Sequence, residues 1–345
     1  MTGRADPAES AQHHAVLAHP ARTLPADRRP HPGPIAVLPN PKGVFVEAVQ
    51  AAGGEVAELS PQTRGVVWLS SLQAAELTDL LERNPQVEWV QLPWAGVDAF
   101  ADVLAHFAGK ERPLWTSAKG AYSQPVAEHA LALTLALLRV FPTRVRATSW
   151  STVPEGVSLF GLNVVIIGAG GLALELIRLL EPFNTHITVV RRSAEKVAGA
   201  EKVAGAEKTL TSDRLHDVLP TADVVVVAAA STTDTHHLVG ATELRAMKST
   251  AVLVNVARGG LVDTDALVQA LASESIAGAG LDVTDPEPLP DGHPLWAEPR
   301  VIITPHSADT PDMTAPLLAE RIRANVLAFL GDGRFEGIVD PGAGY

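Results

Sequence analysis

The sequence predicts an α/β protein with two doubly wound parallel sheets, and three observations support this prediction. Apolar runs rich in β-branched residues alternate with amphipathic helical segments, as expected for parallel sheets covered by helices on both faces. This alternation occurs in two series, one on each side of a long apolar helix. In addition, 345 residues are too many for the usual single core and suit two domains.

The first series begins with a predicted strand at Pro34–Asn40, a short apolar run that ends in Pro and Asn. Phe45–Gly54 has helical spacing and a glycine stop, and Leu72–Pro85 is an amphipathic helix ended by an Asn-Pro pair. Further strands are predicted at residues 64–70 and 87–93. Together these elements predict the first parallel sheet.

The long helix between the two series, Gln124–Phe141, is apolar on most sides and has a proline near its start. Such a helix is expected to be buried, either between domains or between subunits. The second series then contains six predicted strands, at residues 162–168, 187–192, 222–230, 251–257, 276–283 and 300–306. A last helix is predicted at Met313–Gly333.

Composition narrows the classes of partner. The net charge of −12 argues against nucleic acid or an anionic membrane as a general partner. The absence of cysteine excludes disulfides, thiolate metal sites and a cysteine nucleophile. No apolar stretch is long enough for a transmembrane helix, and the N-terminus lacks the apolar part of a signal peptide. We therefore expect a cytoplasmic protein, with residues 1–33 mostly disordered because they are rich in Pro, His, Ala and Arg.

A glycine-rich turn opens the second series. Gly168, Gly170 and Ala173 form a GxGxxA pattern between a predicted strand and a helix. The first glycine permits a tight turn, the second lets the backbone approach a pyrophosphate, and the alanine allows close packing of helix and strand. Gly171 and Leu172 complete the turn at the helix N-terminus, where backbone N–H groups attract phosphate. The pattern predicts a dinucleotide-binding domain; a tight turn without a ligand is the alternative.

The next predicted strand ends in a basic pair. An NAD site normally has Asp or Glu about 20 residues after the glycine turn, bonded to the ribose 2′-hydroxyl. Here the sequence reads Arg191, Arg192 and Ser193. A guanidinium attracts the 2′-phosphate that a carboxylate would repel. We therefore predict these three residues to bind NADP(H) as the preferred cofactor, with NAD(H) as a second option; arginines merely solvated at a strand end are the alternative.

A hexapeptide, EKVAGA, then occurs twice, at residues 195–200 and 201–206. Two copies are too few for a repeat architecture, and glycines interrupt the helical pattern. We interpret the repeat as a tandem duplication that lengthened a surface loop. A repeat lysine that reaches the 2′-phosphate is the alternative.

Three charged side chains follow predicted strands of the second series. Arg258 follows one strand, Glu287 lies in the segment after the next, and His306 follows the last. Ligands bind at such carboxyl ends in open α/β sheets. Reduction of a 2-oxo acid needs a cation for the carboxylate, a proton donor for the carbonyl oxygen and a carboxylate that favours the imidazolium form. Taken singly, each of the three residues could equally be an ordinary surface or strand-capping group.

Three motifs, NVARGGLVDTDAL (255–267), GLDVTDPEPLPDGHPLW (280–296) and TPH (304–306), occur in this order. With them the chain resembles the D-isomer-specific 2-hydroxyacid dehydrogenases. The resemblance runs from about residue 34 to the C-terminus and implies two Rossmann-like domains. A dinucleotide-binding domain at 124–308 would be inserted into a substrate domain made of 34–123 and 309–345. The resemblance also implies a homodimer paired through the cofactor domain, with Gln124–Phe141 as the contact.

The resemblance further implies roles for individual residues. They are Arg258, Glu287 and His306 as catalytic residues, Asp282 and Ala257 at the cofactor, and Trp94, Ala95, Gly96, Val97 and Arg258 at the substrate. Asp282 would orient the nicotinamide carboxamide, and the backbone N–H groups of the loop would hold the substrate carboxylate. Trp94 would line the pocket or pack in the hinge.

Differences between this sequence and some branches of the family reduce the number of substrates that the resemblance implies. Formate dehydrogenases have Gln at the position of Glu287. Phosphoglycerate dehydrogenases tend to have Arg in the substrate loop, where this chain has Leu92-Pro93-Trp94. We therefore predict reduction of glyoxylate or hydroxypyruvate to the D-2-hydroxy acid, with His306 as acid and base. A dinucleotide-sensing, corepressor-like interaction protein of the same fold is the alternative. The pair His236–His237 lacks a spacing typical of zinc sites, so we predict no metal.

Overall fold

A computed structural model describes residues 12–18, 20–150, 152–192 and 203–342. The chain forms two compact units. One consists of the residues up to Tyr122 together with those from Thr310 onward, and the other is Ser123–Asp309. Across the described ranges, no helix combines the length and apolarity needed to cross a bilayer.

The first unit contains six strands and four helices among its described residues. Its strands are β1 (Arg22–Thr23), β2 (Ile35–Leu38), β3 (Gly65–Trp68), β4 (Trp89–Gln91), β5 (Leu114–Thr116) and β13 (Arg334–Phe335). Its helices are α1 (Gly43–Ala51), α2 (Ala74–Arg83), α3 (Ala101–Phe107) and α11 (Pro311–Leu330).

Strands β2 to β5 form a parallel sheet in chain order. A single parallel bridge from Val56 to Ile35 extends it beyond β2, on the side away from β3, because Ile35 exchanges backbone bonds with residues 55 and 57 there. The chain therefore winds in both directions from β2. Leu77 of α2 and Phe100 are fully buried in the cluster that covers this sheet, consistent with the amphipathic pattern of α2.

The second unit is a seven-stranded parallel sheet flanked by helices. Its strands are β6 (Asn163–Ile167), β7 (His186–Arg191), β8 (Lys208–Thr211), β9 (Val224–Val227), β10 (Val252–Asn255), β11 (Gly278–Leu281) and β12 (Val301–Ile303). Its helices are α4 (Ser123–Leu138), α5 (Phe141–Arg144), α6 (Gly171–Leu180), α7 (Leu215–Val218), α8 (Ala241–Ala246), α9 (Thr264–Ala272) and α10 (Pro294–Ala297).

The strand order in this sheet is β12-β11-β10-β9-β6-β7-β8, the doubly wound arrangement of a dinucleotide-binding fold. Alternate residues of the central strands face opposite layers. Val225 and Leu253 pack in one buried cluster, whereas Val224 and Val254 pack in the other. Burial on both faces explains why these strands read as continuous apolar runs. The predicted fold class is thus confirmed.

The prediction of disorder for residues 1–33 is wrong for its last part. β1 pairs antiparallel with β13, and Nε of Arg29 donates to the carbonyl of Leu24 at 3.0 Å. Arg112 Nη2 donates to the carbonyl of Arg29 at 2.8 Å, and His31 Nδ1 lies 2.8 Å from Glu88 Oε1. The segment has few apolar side chains to bury, but its backbone groups form hydrogen bonds with residues remote in sequence. Residues 1–11 lie outside the described ranges.

The long apolar helix ends earlier than predicted. α4 stops at Leu138, and Val140 has a left-handed backbone with φ of 57°. Pro142 lies at the start of α5, the short helix that follows, and a proline cannot continue a preceding helix without losing a backbone bond. The carbonyl of Leu138 accepts instead from the backbone N–H of Val157 at 2.8 Å.

Candidate active site

The predicted catalytic residues of the second unit follow three neighbouring strands. Arg258 comes after β10, Glu287 after β11 and His306 after β12. These strands are adjacent and parallel in the sheet, so their carboxyl ends lie at one edge. The topology therefore brings together segments that are about 50 residues apart along the chain.

His306 and Glu287 are in direct contact. Nδ1 of His306 lies 2.6 Å from Oε1 of Glu287, and both side chains are partly open to solvent. His306 has a φ of 50°, which is uncommon for a residue other than glycine and is found at functional sites. Its backbone N–H donates to the carbonyl of Asp282 at 2.7 Å. The contact leaves Nε2 as the ring nitrogen turned away from the carboxylate.

Asp282 holds the segment that carries His306. Its side chain is 2% exposed and accepts from Thr304 Oγ1 at 2.6 Å, from Ser307 N at 2.9 Å and from Ala308 N at 3.1 Å. Nε2 of His129, on α4, lies 2.9 Å from the same threonine hydroxyl. The carboxylate predicted to orient nicotinamide is thus anchored in the protein. Sequence reasoning missed His129, whose only signal was a polar side chain in an apolar helix.

Arg258 is half-buried after β10. Its Nη1 donates to the carbonyl of Ala257 at 2.7 Å, and its own carbonyl accepts from Asn255 Nδ2 at 2.9 Å. The next residue, Gly259, lies so close to the loop after β11 that a Cβ there would overlap the carbonyl of Thr284. The missing side chain therefore lets the loops that carry Arg258 and Glu287 pack directly against each other.

Asp309, which sequence reasoning did not single out, interacts electrostatically with His306, Asp282 and Arg258. Burial raises the pKa of Asp309, the charge of Asp282 raises it further, and His306 and Arg258 partly offset the shift. A carboxyl group whose pKa is raised by burial near a histidine and an arginine is typical of functional sites.

The glycine turn fits a dinucleotide. Gly168 has a φ of 123°, and a Cβ there would overlap the carbonyl of Ala228 on the neighbouring loop. Gly170, the N-cap of α6, has open space where a Cβ would lie. Ala173 is fully buried on the sheet side of α6, whereas Gly171 and Leu172 are half-buried. A phosphate could thus approach the backbone at the N-terminus of a ten-residue helix.

Two of the three predicted 2′-phosphate residues, Arg191 and Arg192, follow the strand next to this turn. Arg191 is the last residue of β7, which pairs with β6 directly before the glycine turn. Gly168 N, in the glycine turn, donates to the carbonyl of Val190 at 2.8 Å. Arg191, the first residue of the basic pair, directly follows Val190 in the sequence. Arg192 is exposed, and Ser193 lies outside the described residues.

The predicted substrate loop belongs to the first unit. Trp94 is 40% exposed, and its ring stands edge-on to Tyr122 with centroids 6.2 Å apart. The Tyr122 hydroxyl donates to the carbonyl of Pro93 at 2.6 Å, which fixes the start of the loop. Of the residues that follow Trp94, Ala95 is exposed, Gly96 half-buried and Val97 buried.

The fold also brings together a group that sequence spacing did not reveal. His236, His237 and Asp285 each offer a ligand atom, and these atoms lie within 4.8 Å of one another. The prediction of no metal rests on the absence of a zinc-like spacing along the chain. Such a spacing does not include Asp285, which comes from the loop after β11.

The doubly wound sheet of the second unit and its glycine turn are typical of dehydrogenases that use a nicotinamide dinucleotide. The chain belongs to the D-isomer specific 2-hydroxyacid dehydrogenase family, whose NAD binding domain matches residues 131–308. The resemblance seen in its motifs is therefore confirmed.

Individual known proteins are also similar to this chain. An uncharacterised protein of Corynebacterium melassecola is 40% identical over 277 residues, covering 79% of this chain and 87% of the relative. A glyoxylate reductase of Aeropyrum pernix is 32% identical over 266 residues, covering 73% and 76%. The crystal structure of a D-isomer specific 2-hydroxyacid dehydrogenase of Xanthobacter autotrophicus Py2, in complex with NADPH and MES, matches with a TM-score of 0.76 at 27% identity and covers 91% of this chain and 100% of that one.

Proposed function

We propose that this protein is an NADP(H)-preferring reductase that converts a small 2-oxo acid, glyoxylate or hydroxypyruvate, to the D-2-hydroxy acid. The observation that carries the proposal is the 2.6 Å contact between His306 and Glu287 at the strand edge that also bears Arg258. The glyoxylate reductase of Aeropyrum pernix, at 32% identity, supports the substrate class.

The chemistry assigned to the chain's own residues has three parts. The Arg258 guanidinium binds the substrate carboxylate and stabilises the negative charge that develops on the carbonyl oxygen. His306 donates a proton to that oxygen, and takes it back in the reverse direction. Glu287, in contact with Nδ1 of His306, fixes the orientation of the ring. A bound nicotinamide dinucleotide supplies the hydride for the carbonyl carbon.

The preference for NADP(H) rests on the basic pair Arg191–Arg192 next to the glycine turn. A guanidinium fork can grip a phosphate with two parallel hydrogen bonds. The NADPH in the related Xanthobacter structure is consistent with this choice. Gly168, Gly170 and the N-terminus of α6 would hold the pyrophosphate, and Asp282 with Ala257 would lie at the nicotinamide end. The substrate-loop residues Trp94 to Val97 stay a prediction.

We also propose a homodimer formed through the second unit, with Gln124–Phe141 and the segment that follows it as the contact. Directly after α4, large apolar side chains are exposed over residues 141–160, namely Phe141, Val145, Trp150, Val153, Val157 and Phe160. Trp150 is the most exposed of these six side chains, at 92%. A concentration of exposed apolar side chains in one short segment is a feature of protein interfaces. Sedimentation equilibrium should give twice the chain mass, and Trp150→Asp should shift the protein toward monomer; a monomeric wild type contradicts the dimer.

The decisive experiment is a turnover assay with a panel of 2-oxo acids, NADPH and NADH, followed by nicotinamide absorbance. We expect the highest kcat/KM with glyoxylate or hydroxypyruvate and a kcat/KM ratio of NADPH to NADH above one. A ratio well below one overturns the cofactor preference. Tight NADP(H) binding without turnover of any 2-oxo acid would contradict the reductase and favour a dinucleotide-sensing protein.

A further inference from the structure

We infer that His236, His237 and Asp285 form a binding site for a divalent transition-metal ion such as Zn²⁺. One ligand atom from each residue lies within 4.8 Å of the other two. Two imidazole nitrogens and a carboxylate oxygen are a donor set that zinc binds in proteins. The site uses none of the side chains assigned above to catalysis or to cofactor binding, and it does not depend on the proposed function.

The backbone presents both histidines on one side. Successive side chains of an extended segment point in opposite directions, but His237 has a left-handed backbone with φ of 51°. As a result the two imidazole rings lie 3.9 Å apart between centroids, with 37° between their planes. A left-handed residue other than Gly, Asn or Asp costs free energy, so the surrounding structure must hold this arrangement.

Bonds on both sides of the histidines hold it. Before them, the side chain of Thr235 accepts from the backbone N–H of Thr232 at 2.8 Å within a capping box. At the histidines, His237 N donates to the carbonyl of Gly260 at 2.8 Å, and Val239 N donates to the carbonyl of Leu261 at 2.9 Å. Backbone hydrogen bonds therefore fix the two histidines to the segment that follows Arg258.

Asp285 reaches the histidines from a different loop. A Cβ on Gly260 would lie 3.5 Å from Asp285 Oδ2 and 3.9 Å from His236 Cδ2. Gly260 therefore lies between these two side chains and close to both. The carbonyl of Asp285 accepts from Thr264 Oγ1 at 2.6 Å, which anchors the loop to the start of α9. Three segments remote in sequence thus converge on one exposed point.

A second carboxylate faces the site. Oδ2 of Asp263 lies 3.7 Å from Nδ1 of His237, while Oδ1 caps α9 by accepting from Ala266 N at 2.9 Å. At this distance the carboxylate acts on the imidazole through its negative charge and not through a hydrogen bond. Two carboxylates beside two imidazoles favour a cation.

The spacing needs only small side-chain rotations. Zinc bonds to nitrogen and oxygen of about 2.0–2.2 Å place tetrahedral ligand atoms about 3.4 Å apart. All three ligand residues are exposed, so their side chains can close the difference without disturbing packed neighbours. Water would complete the coordination.

Isothermal titration calorimetry of the tag-free chain with ZnCl₂ tests the site. We expect one equivalent to bind, and His237→Asn and Asp285→Asn each to weaken binding about tenfold or more, as even loss of an outer-shell partner does. Asn tolerates the left-handed backbone of His237. His216→Asn is the matched control, because its exposed imidazole contacts a single carboxylate, Glu243 Oε1, at 2.9 Å; it should bind zinc like wild type.

Co²⁺ absorption of the wild-type chain gives a second readout that needs no variant. Bound Co²⁺ should show visible bands stronger than those of the aqueous ion, and one equivalent of Zn²⁺ should remove them. The proposal is overturned if wild type binds no zinc up to millimolar concentration, or if both variants bind as tightly as wild type. His236→Asn replaces either variant that loses its circular dichroism spectrum.

Discussion

Thr304 Oγ1 donates a 2.6 Å hydrogen bond to Asp282 Oδ1, and this bond fixes the tautomer of a second side chain. Nε2 of His129 lies 2.9 Å from the same hydroxyl. A threonine hydroxyl has one proton to give, and Asp282 receives it, so His129 must donate its Nε2–H to Thr304. The resulting chain of bonds connects α4 to the segment that carries His306.

Thr304→Val should weaken this connection. The substitution leaves Asp282, which is almost fully buried, with one partner fewer. It also removes the hydroxyl that accepts from His129 Nε2, so that Asp282 Oδ1, 3.6 Å from this nitrogen, is the acceptor that remains near it. We expect the free energy of unfolding in urea to fall by about 1–3 kcal/mol and kcat to fall as well, because Asp282 also holds the backbone of Ser307 and Ala308.

Two further substitutions separate the bond from general effects. Thr304→Ser keeps the hydroxyl and should restore both readouts. Thr221→Val removes an exposed hydroxyl bonded to the carbonyl of Val218 and should change neither. If Thr304→Val has the stability and turnover of wild type, the hydrogen bond to Asp282 does not position the segment that carries His306.

The parts of this site that sequence predicts are those encoded by neighbours along the chain. The glycine turn and the strand-end positions of Arg258 and His306 follow from apolar runs and the residues directly after them. His129 could not be found this way, because its partner Thr304 lies 175 residues away. The folding of residues 20–33 was missed for the same reason, since β1 pairs with β13 at the other end of the chain.

His306→Asn tests the assignment of the proton donor. Asn tolerates the left-handed backbone at this position, so the fold should be kept, and kcat should fall about 10²- to 10⁴-fold. His186→Asn is the control, because it removes an exposed imidazole that also contacts a carboxylate, Glu207 Oε2, at 2.9 Å. Steady-state turnover decides the matter, and an unchanged kcat in His306→Asn would refute the role.

Arg191→Asp addresses the cofactor preference. An acidic side chain repels the 2′-phosphate, and losing a charge-assisted hydrogen bond of about 1.5–3 kcal/mol should lower kcat/KM for NADPH about 10- to 100-fold. The value for NADH should change little or rise. Arg245→Asp makes the same charge change on the exposed side of α8 and should leave the ratio of the two cofactors as in wild type. An unaltered ratio in Arg191→Asp would place the phosphate contact elsewhere.

Asp309 makes stability depend on pH. Because burial raises its pKa above the ordinary 3.8, the folded state favours the protonated form. Its contribution to stability is then present below pH 3.8 and is lost as pH rises through the folded-state pKa. Asp309→Asn should therefore be more stable than wild type at pH 7, with an advantage that shrinks toward pH 4. Urea unfolding at several pH values measures this, with the exposed Asp291→Asn as control; an advantage that does not depend on pH would contradict it.

The EKVAGA repeat allows a deletion with an unusual property. Removing residues 195–200 or 201–206 gives the same polypeptide, because the two copies are identical. In the described part of the repeat, Ala206 is 2% exposed within the core of the second unit, and Val203 N donates to Thr209 Oγ1 at 2.9 Å. The surface-loop interpretation therefore does not extend to Ala206, and the remaining copy must supply its side chain.

We expect the shortened protein to place VAGA of the remaining copy where residues 203–206 lie now. Its free energy of unfolding should then change by less than about 1 kcal/mol, since loop length alters closure entropy only slowly, and its NADPH KM should stay near that of wild type. Ala206→Asp in the full-length chain is the contrast, because it buries a charge and should destabilise the unit strongly. A large rise in the NADPH KM of the shortened protein, with normal stability, would instead show that the repeat takes part in cofactor binding.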